Sequence, residues 1–88
     1  MIGYIRSTWF KKQYKKLDKN IKEAFSIRFG LFLEQPFHPM LNNHGLQGER
    51  LGERSINITG VYRLIFEYIN ADTVRLLDID THHNLYGK

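Results

Sequence analysis

The sequence contains no cysteine. That removes disulfide scaffolds, iron–sulfur ligation, thiolate zinc sites and cysteine nucleophiles together, and it points to a reducing compartment. No stretch comes near the ~20 apolar residues that a membrane-spanning helix requires. Met1 to Phe10 lacks the apolar run and small-residue cleavage site of a secretory leader. The expectation is a cytoplasmic protein with no membrane partner. Proline is scarce, and both, Pro36 and Pro39, fall in one segment. No G-x-S-x-G elbow, P-loop or dinucleotide fingerprint occurs, and Gly45, Gly48 and Gly52 lie outside any strand-then-helix frame. Serine-hydrolase chemistry and nucleotide cofactors are therefore not expected. A metal site is not expected either. His82 and His83 are adjacent and diverge in extended backbone, and helical i, i+4 ligand spacing is absent.

What is present is apolar material for one core. Of 88 residues, 42% are hydrophobic and 14% aromatic, which suits a single domain over residues 1–88 and is too much for a disordered chain. The net charge of +4 is unevenly spread. Residues 1–28 carry eight basic side chains against two acidic ones, and residues 29–88 carry five against seven. A basic amino-terminal third fits an acidic partner, either nucleic acid or an acidic protein segment, or else a solvated helix face.

The periodicity changes along the chain. Ile2 to Arg6 is β-prone and predicts an opening strand. Ser7 or Thr8 can cap a helix in which Phe10, Tyr14 and Leu17 share a face, with lysines on the other. Asp18 or Asn20 opens a second helix with Ile21, Ala24, Phe25, Phe29 and Phe32 at the 3.6-residue period. Gly30 weakens its last turn. From Glu34 to Gly52 no period is sustained, which predicts a long connection of the kind that carries function. Thereafter the period is two. Arg54 to Thr59, Tyr62 to Ile69 and Thr73 to Asp80 predict three strands joined at Gly60 and at Asn70-Ala71-Asp72, followed by a tail from Thr81 to Lys88. The fold class is therefore α+β: an amino-terminal strand, a helical hairpin, then an antiparallel β-meander, with the helices packed on one face of the sheet. The other face then stays open or is closed by the long loop. Loop, tail and alternate strand positions converge on it as a concave polar surface.

Chemistry on that surface starts from histidine. All four histidines lie outside the two predicted helices, His38 and His44 in the loop and His82 and His83 after the last predicted strand. Imidazole titrates near neutrality and is the usual proton-transfer group. Arg50, Arg54, Arg63 and Arg75 lie in or beside the sheet region, where a planar guanidinium matches phosphate oxygens. Ion pairing with Glu49, Glu53, Glu67 or Asp78 is the ordinary role for such arginines. Arg63 is favoured for a phosphate because Tyr62, Leu64 and Phe66 mark its strand as central. Tyr86 can stack on a base, donate a proton or anchor the tail. Together these groups suit RNA cleavage in which a base takes the ribose 2′-OH proton, an arginine stabilises the phosphorane and an acid protonates the leaving oxygen.

The run Pro36-Phe37-His38-Pro39-Met40-Leu41-Asn42-Asn43-His44-Gly45-Leu46-Gln47-Gly48 continues with Gly52-Glu53-Arg54-Ser55-Ile56 and Tyr62-Arg63-Leu64-Ile65-Phe66. It ends with Leu77-Asp78-Ile79-Asp80-Thr81-His82-His83-Asn84-Leu85-Tyr86. In this order the pieces resemble the RelE/ParE superfamily of type II toxins, most of all its RelE/StbE and YafQ-like mRNA interferases. Phe10 to Leu17 is similar to that family's first helix. The resemblance implies a toxin that enters the ribosome, cuts mRNA there without a metal or other cofactor, inhibits translation and is neutralised by a cognate antitoxin protein. Matched residue by residue, it implies that His44 and His82 are the proton-transfer histidines, Arg63 the phosphate arginine and Tyr86 the near-terminal aromatic. Asn57, Arg54 and His83 are expected to contact the RNA beside them. Asn57 stands where the YafQ-like pattern has a strand histidine, and Val61 where it has a turn aspartate. Ser55 and Asn57 replace the strand lysines of RelE-like members, so the acid–base set is partial. Lys11, Lys12, Lys15 and Lys16 are expected to meet ribosomal RNA. Two alternatives stand beside this reading: a ParE-like, non-enzymatic poison of gyrase, and a weakened homologue that only binds its antitoxin.

Overall fold

The computed structural model describes residues 1–86; Gly87 and Lys88, the end of the expected tail, lie outside the described residues. Strand β1 (Gly3–Arg6) leads into helices α1 (Thr8–Lys15) and α2 (Lys19–Glu34). Strands β2 (His44–Gly45), β3 (Arg54–Asn57), β4 (Tyr62–Asn70) and β5 (Thr73–Thr81) follow, and helix α3 (His82–Tyr86) comes last. They form a five-stranded sheet in the order β1-β5-β4-β3-β2. The meander is antiparallel, and β1 joins β5 in parallel, which makes the sheet mixed.

Both long helices begin where a side chain satisfies an orphan amide. Ser7 Oγ accepts from the Phe10 N–H at 3.1 Å, and Asp18 Oδ1 accepts from the Ile21 N–H at 3.0 Å. Gly30 does not stop α2, which continues to Glu34. Phe10 from α1 and Phe25, Phe29 and Phe32 from α2 pack on Ile56, Leu64, Phe66, Val74, Leu76 and Ile79 of the sheet. The aromatic rings run as a chain, with Phe25–Phe29 at 5.0 Å, Phe29–Phe32 at 5.8 Å and Phe32–Phe66 at 4.9 Å between centroids. Burial of these rings is the main stabilising term.

The opening strand pairs only with the first half of β5, so the second half would expose its edge. Helix α1 lies alongside it instead. Ser7 Oγ donates to the Leu77 carbonyl at 3.3 Å, while Ser7 N–H reaches the Leu76 carbonyl at 3.0 Å. Phe10 enters the core on one side of this edge, and Gln13 reaches Asp80 at 3.4 Å. Four elements were not apparent from periodicity: the two-residue strand β2, single 3-10 turns at Pro39–Leu41 and Gly48–Arg50, and helix α3 in the tail.

Candidate functional site

The core alternation decides which side chains reach the second face of the sheet. Because Ile56, Leu64 and Phe66 enter the core, Ser55 and Asn57 on β3 and Arg63, Ile65 and Glu67 on β4 face the other way. On β5, strict alternation after Val74 and Leu76 would send Asp78 into the core. A bulge at Leu77 prevents this: Asp78 stands opposite Ile65, Asp80 opposite Arg63, and Ile79 returns to the core. His44 of β2 lies opposite Ser55 and joins the same face.

Two short segments close over this face. Helix α3 is tied down at its start, where Thr81 Oγ1 accepts from the Asn84 N–H at 3.1 Å and the His82 N–H donates to the Val61 carbonyl at 2.7 Å. Asp80 Oδ1 accepts from Thr81 N–H at 2.7 Å and Asn84 Nδ2 at 3.0 Å. The second segment is residues 46–53. Its ends meet through the Leu46 N–H and the Glu53 carbonyl at 2.9 Å, and its bends need the positive φ of Gly48 (65°) and Gly52 (96°). Leu46 and Ile65 are buried on this side, apart from the main core.

Between loop and helix lies a cavity of about 700 Å³, lined by His44, Gln47, Glu49, Arg50, Asn84 and Tyr86 together with Gly45, Leu46 and Leu85. His44 Nδ1 sits 2.8 Å from the Asn42 carbonyl. A carbonyl only accepts, so Nδ1 carries the hydrogen and Nε2 keeps its lone pair in the neutral ring. The Tyr86 ring is 4.7 Å from that of His82, one helical turn away, and its hydroxyl is buried with no partner. Ser55 Oγ, Asn57 Oδ1 and Asp78 Oδ1 are also buried and unpartnered. All four such atoms found among the described residues belong to this side of the sheet. Buried polar atoms are normally paired, so this concentration sets the second face apart from the apolar core face.

Arg50 crosses from the loop to the sheet. Its Nη1 bonds Glu53 Oε1 at 2.8 Å, and its Nη2 lies 3.9 Å from Asp78 Oδ2. Burial pushes the Asp78 carboxyl above the usual carboxylate range, against the lowering pull of the Trp9 side chain, the Ile79 amide and Arg50; the nearby charge of Asp80 raises it further.

Of the expected catalytic residues, His44 and Tyr86 line the cavity and His82 touches Tyr86. Arg63 shares the face, but its Nη1 is spent on the Thr59 and Tyr62 carbonyls at 3.0 and 3.2 Å, and it does not line the cavity. Among the expected RNA contacts, Asn57 is on this face and His83 is exposed on α3. Arg54 lies across the sheet, stacked 5.5 Å over the Phe37 ring with Nε bonded to Asn43 Oδ1 at 2.8 Å. Lys11, Lys12 and Lys15 line a separate hollow of about 410 Å³ with Arg6, while Lys16 reaches Gln13 Oε1 at 3.4 Å. Gln47, Glu49 and Asn84 carried no expected role at the site, and Arg50 stood only among the four candidate arginines, behind Arg63. The ion pairing expected of the arginines holds for Arg50 and also for Arg75, which meets Glu67 at 3.0 Å. The glycines flanking Arg50 and its i, i+3 spacing to Glu53 were the available signals.

No family model and no curated protein sequence matches the chain. Solved structures do. YafQ from Escherichia coli superposes with a TM-score of 0.81 at 20% identity, covering 99% of this chain and all of that one. A YoeB/ParE toxin from Agrobacterium tumefaciens gives 0.76 at 15% identity, covering 92% and 99%. The RelBE2 toxin–antitoxin complex from Mycobacterium tuberculosis gives 0.73 at 23% identity, covering 92% and 98%. The chain therefore shares the fold of these solved toxin structures over 92–99% of its length.

Proposed function

We propose that this chain is the toxin of a type II toxin–antitoxin module and an endoribonuclease that cuts mRNA on the ribosome, so inhibiting translation. One observation carries the reading: a cavity on the second sheet face whose wall holds His44 with a free Nε2, the Tyr86 side chain and the Arg50 guanidinium. A protein that acts only as an interface has no need of such a set, and this observation weighs against the gyrase-poison alternative.

The chemistry follows from those groups. His44 Nε2 accepts the proton of a ribose 2′-OH, and the 2′-oxygen attacks the adjacent phosphorus. The bond from phosphorus to the 5′-oxygen then breaks, leaving a 2′,3′-cyclic phosphate. His82 or Tyr86 gives its proton to the departing 5′-oxygen, and their mutual contact holds that donor in place. A guanidinium stabilises the charge on the phosphorane oxygens, a role that the family resemblance gives to Arg63. Asn57 and His83 contact the RNA. Lys11, Lys12, Lys15 and Lys16 of α1 and its end meet ribosomal RNA. A cognate antitoxin neutralises the protein, by analogy with the mycobacterial relative, whose structure is that of a toxin–antitoxin complex.

The test is purified protein added to ribosomes programmed with a defined mRNA. Cuts within codons are expected, with 5′-hydroxyl ends, and His44→Ala or His82→Ala should lower the rate by about 100-fold or more. Intact mRNA at stoichiometric protein would overturn the nuclease reading, and DNA damage in expressing cells with mRNA intact would favour the gyrase alternative.

A further inference from the structure

We infer that Arg50, rather than Arg63, is the arginine that holds the scissile phosphate. The assignment deepens the RNA-cleavage reading and rests on it. Among the described residues, Arg50 is the only lysine or arginine in the wall of the cavity, where it stands with His44 and Tyr86. A phosphate bound in this cavity has no other guanidinium or ammonium in the wall formed by the described residues. Arg63, by contrast, turns its Nη1 onto two backbone carbonyls at the end of the β3–β4 hairpin.

The surroundings of Arg50 are built rather than incidental. The loop is folded back on itself, with the Arg50 N–H on the Gln47 carbonyl at 3.3 Å and the Glu53 N–H on the Arg50 carbonyl at 2.9 Å. Gly48 and Gly52 take the left-handed backbone that this tight path demands. Glu53 holds one nitrogen of the guanidinium at 2.8 Å, which keeps the side chain folded along the loop. The second terminal nitrogen lies 3.9 Å from Asp78, too far for a hydrogen bond, so its donors remain free for an anion. Asp78 keeps one oxygen buried and unpartnered beside it. Glu53 and Asp78 flank the guanidinium and Glu49 lines the same cavity, so a phosphate held by Arg50 works against carboxylate repulsion and draws on the strand's other contacts. Glu53 is accordingly a positioning residue, acting through Arg50.

The experiment uses a single-stranded RNA of about a dozen nucleotides carrying 2′-O-methyl groups, which removes the attacking hydroxyl and leaves the phosphates. Binding is followed by fluorescence anisotropy, and cleavage with the unmodified RNA on programmed ribosomes. Arg50→Ala should weaken binding by about 10- to 100-fold, the effect of removing a charge-assisted hydrogen bond to phosphate, and should abolish cleavage. Arg50→Lys should recover part of the binding and little of the cleavage, because a point charge replaces a fork. Arg63→Ala should lose less than Arg50→Ala in both assays, and Arg75→Ala should match the parent. Glu53→Gln should lower kcat more than it raises KM. Arg50→Ala binding and cutting like the parent, or Arg63→Ala reproducing the whole loss, would overturn the assignment while leaving the nuclease reading in place. A parent protein that neither binds nor cuts RNA would remove both. Should Arg50→Ala fail to fold, the Arg50 Nε–H resonance of the parent, titrated with the same methylated RNA, decides: a shift is expected, and a stationary signal overturns the assignment.

Discussion

The two faces of the sheet are built on opposite terms. The face under α1 and α2 is filled by aromatic and branched side chains with no unpartnered polar atom among those found in the described residues. The other face carries Ser55, Asn57, Asp78 and Asp80, four orphaned polar atoms and a cavity, closed only by a short loop and a five-residue helix. The first face is where folding free energy is gained. The second gathers polar side chains and contributes less apolar burial, so it adds less to folding.

Two fully buried side chains, one on each face, sharpen the contrast most. Phe66→Ala should destabilise the protein by about 3–5 kcal/mol, because it empties the junction between α2 and the sheet. Denaturant unfolding measures the loss. Next in size is Asp80→Ala, which removes the anchor shared by Thr81, Asn84 and Gln13. A cost of about 1–2 kcal/mol is expected, with hydrogen exchange rising in α3 while α2 stays protected. If α2 exchanges equally, the two faces are one cooperative unit and the contrast fails. Ser55→Ala, although Ser55 is as buried as Phe66, should change stability by less than about 1 kcal/mol, in either direction, because its hydroxyl has no bond to lose.

The smallest effect is the one with a pH signature. Folding raises the Asp78 carboxyl above its unfolded value, chiefly by burial. Its favourable contribution is therefore complete at pH below the ordinary carboxylate value and is lost as pH rises through the folded value. Asp78→Asn should match the parent in acid and become the more stable of the two toward neutrality. Unfolding curves from about pH 3 to pH 7 test this, and a parent that gains on the variant as pH rises would contradict it.

Much of this architecture could be read in the sequence. The spacing of Phe10 and Tyr14, the period of Phe25, Phe29 and Phe32, and the cap candidates (Ser7 or Thr8, Asp18 or Asn20) specify the helices because each is a local property of a few neighbouring residues; the structure selects Ser7 and Asp18. The alternation around Ile56 and Leu64 specifies the meander for the same reason. The candidate site was legible in part. His44, His82 and Tyr86 stood out as chemistry-bearing residues outside the two predicted helices, but nothing local showed that the last two share a helical turn. The adjacent Leu76 and Leu77 break the period of two, and only pairing with Ile65 and Phe66 reveals that break as a bulge that turns Asp78 outward.

What the chain order by itself determined is the set of elements and the apolar stripe on each, since both follow from side-chain type and period. The tertiary structure alone decided which arginine stands in the cavity and which is held by backbone carbonyls. A guanidinium reaches several ångströms from its own backbone, so its partners are chosen by whatever the fold brings near: Glu53 and Asp78 for Arg50, and the hairpin carbonyls for Arg63.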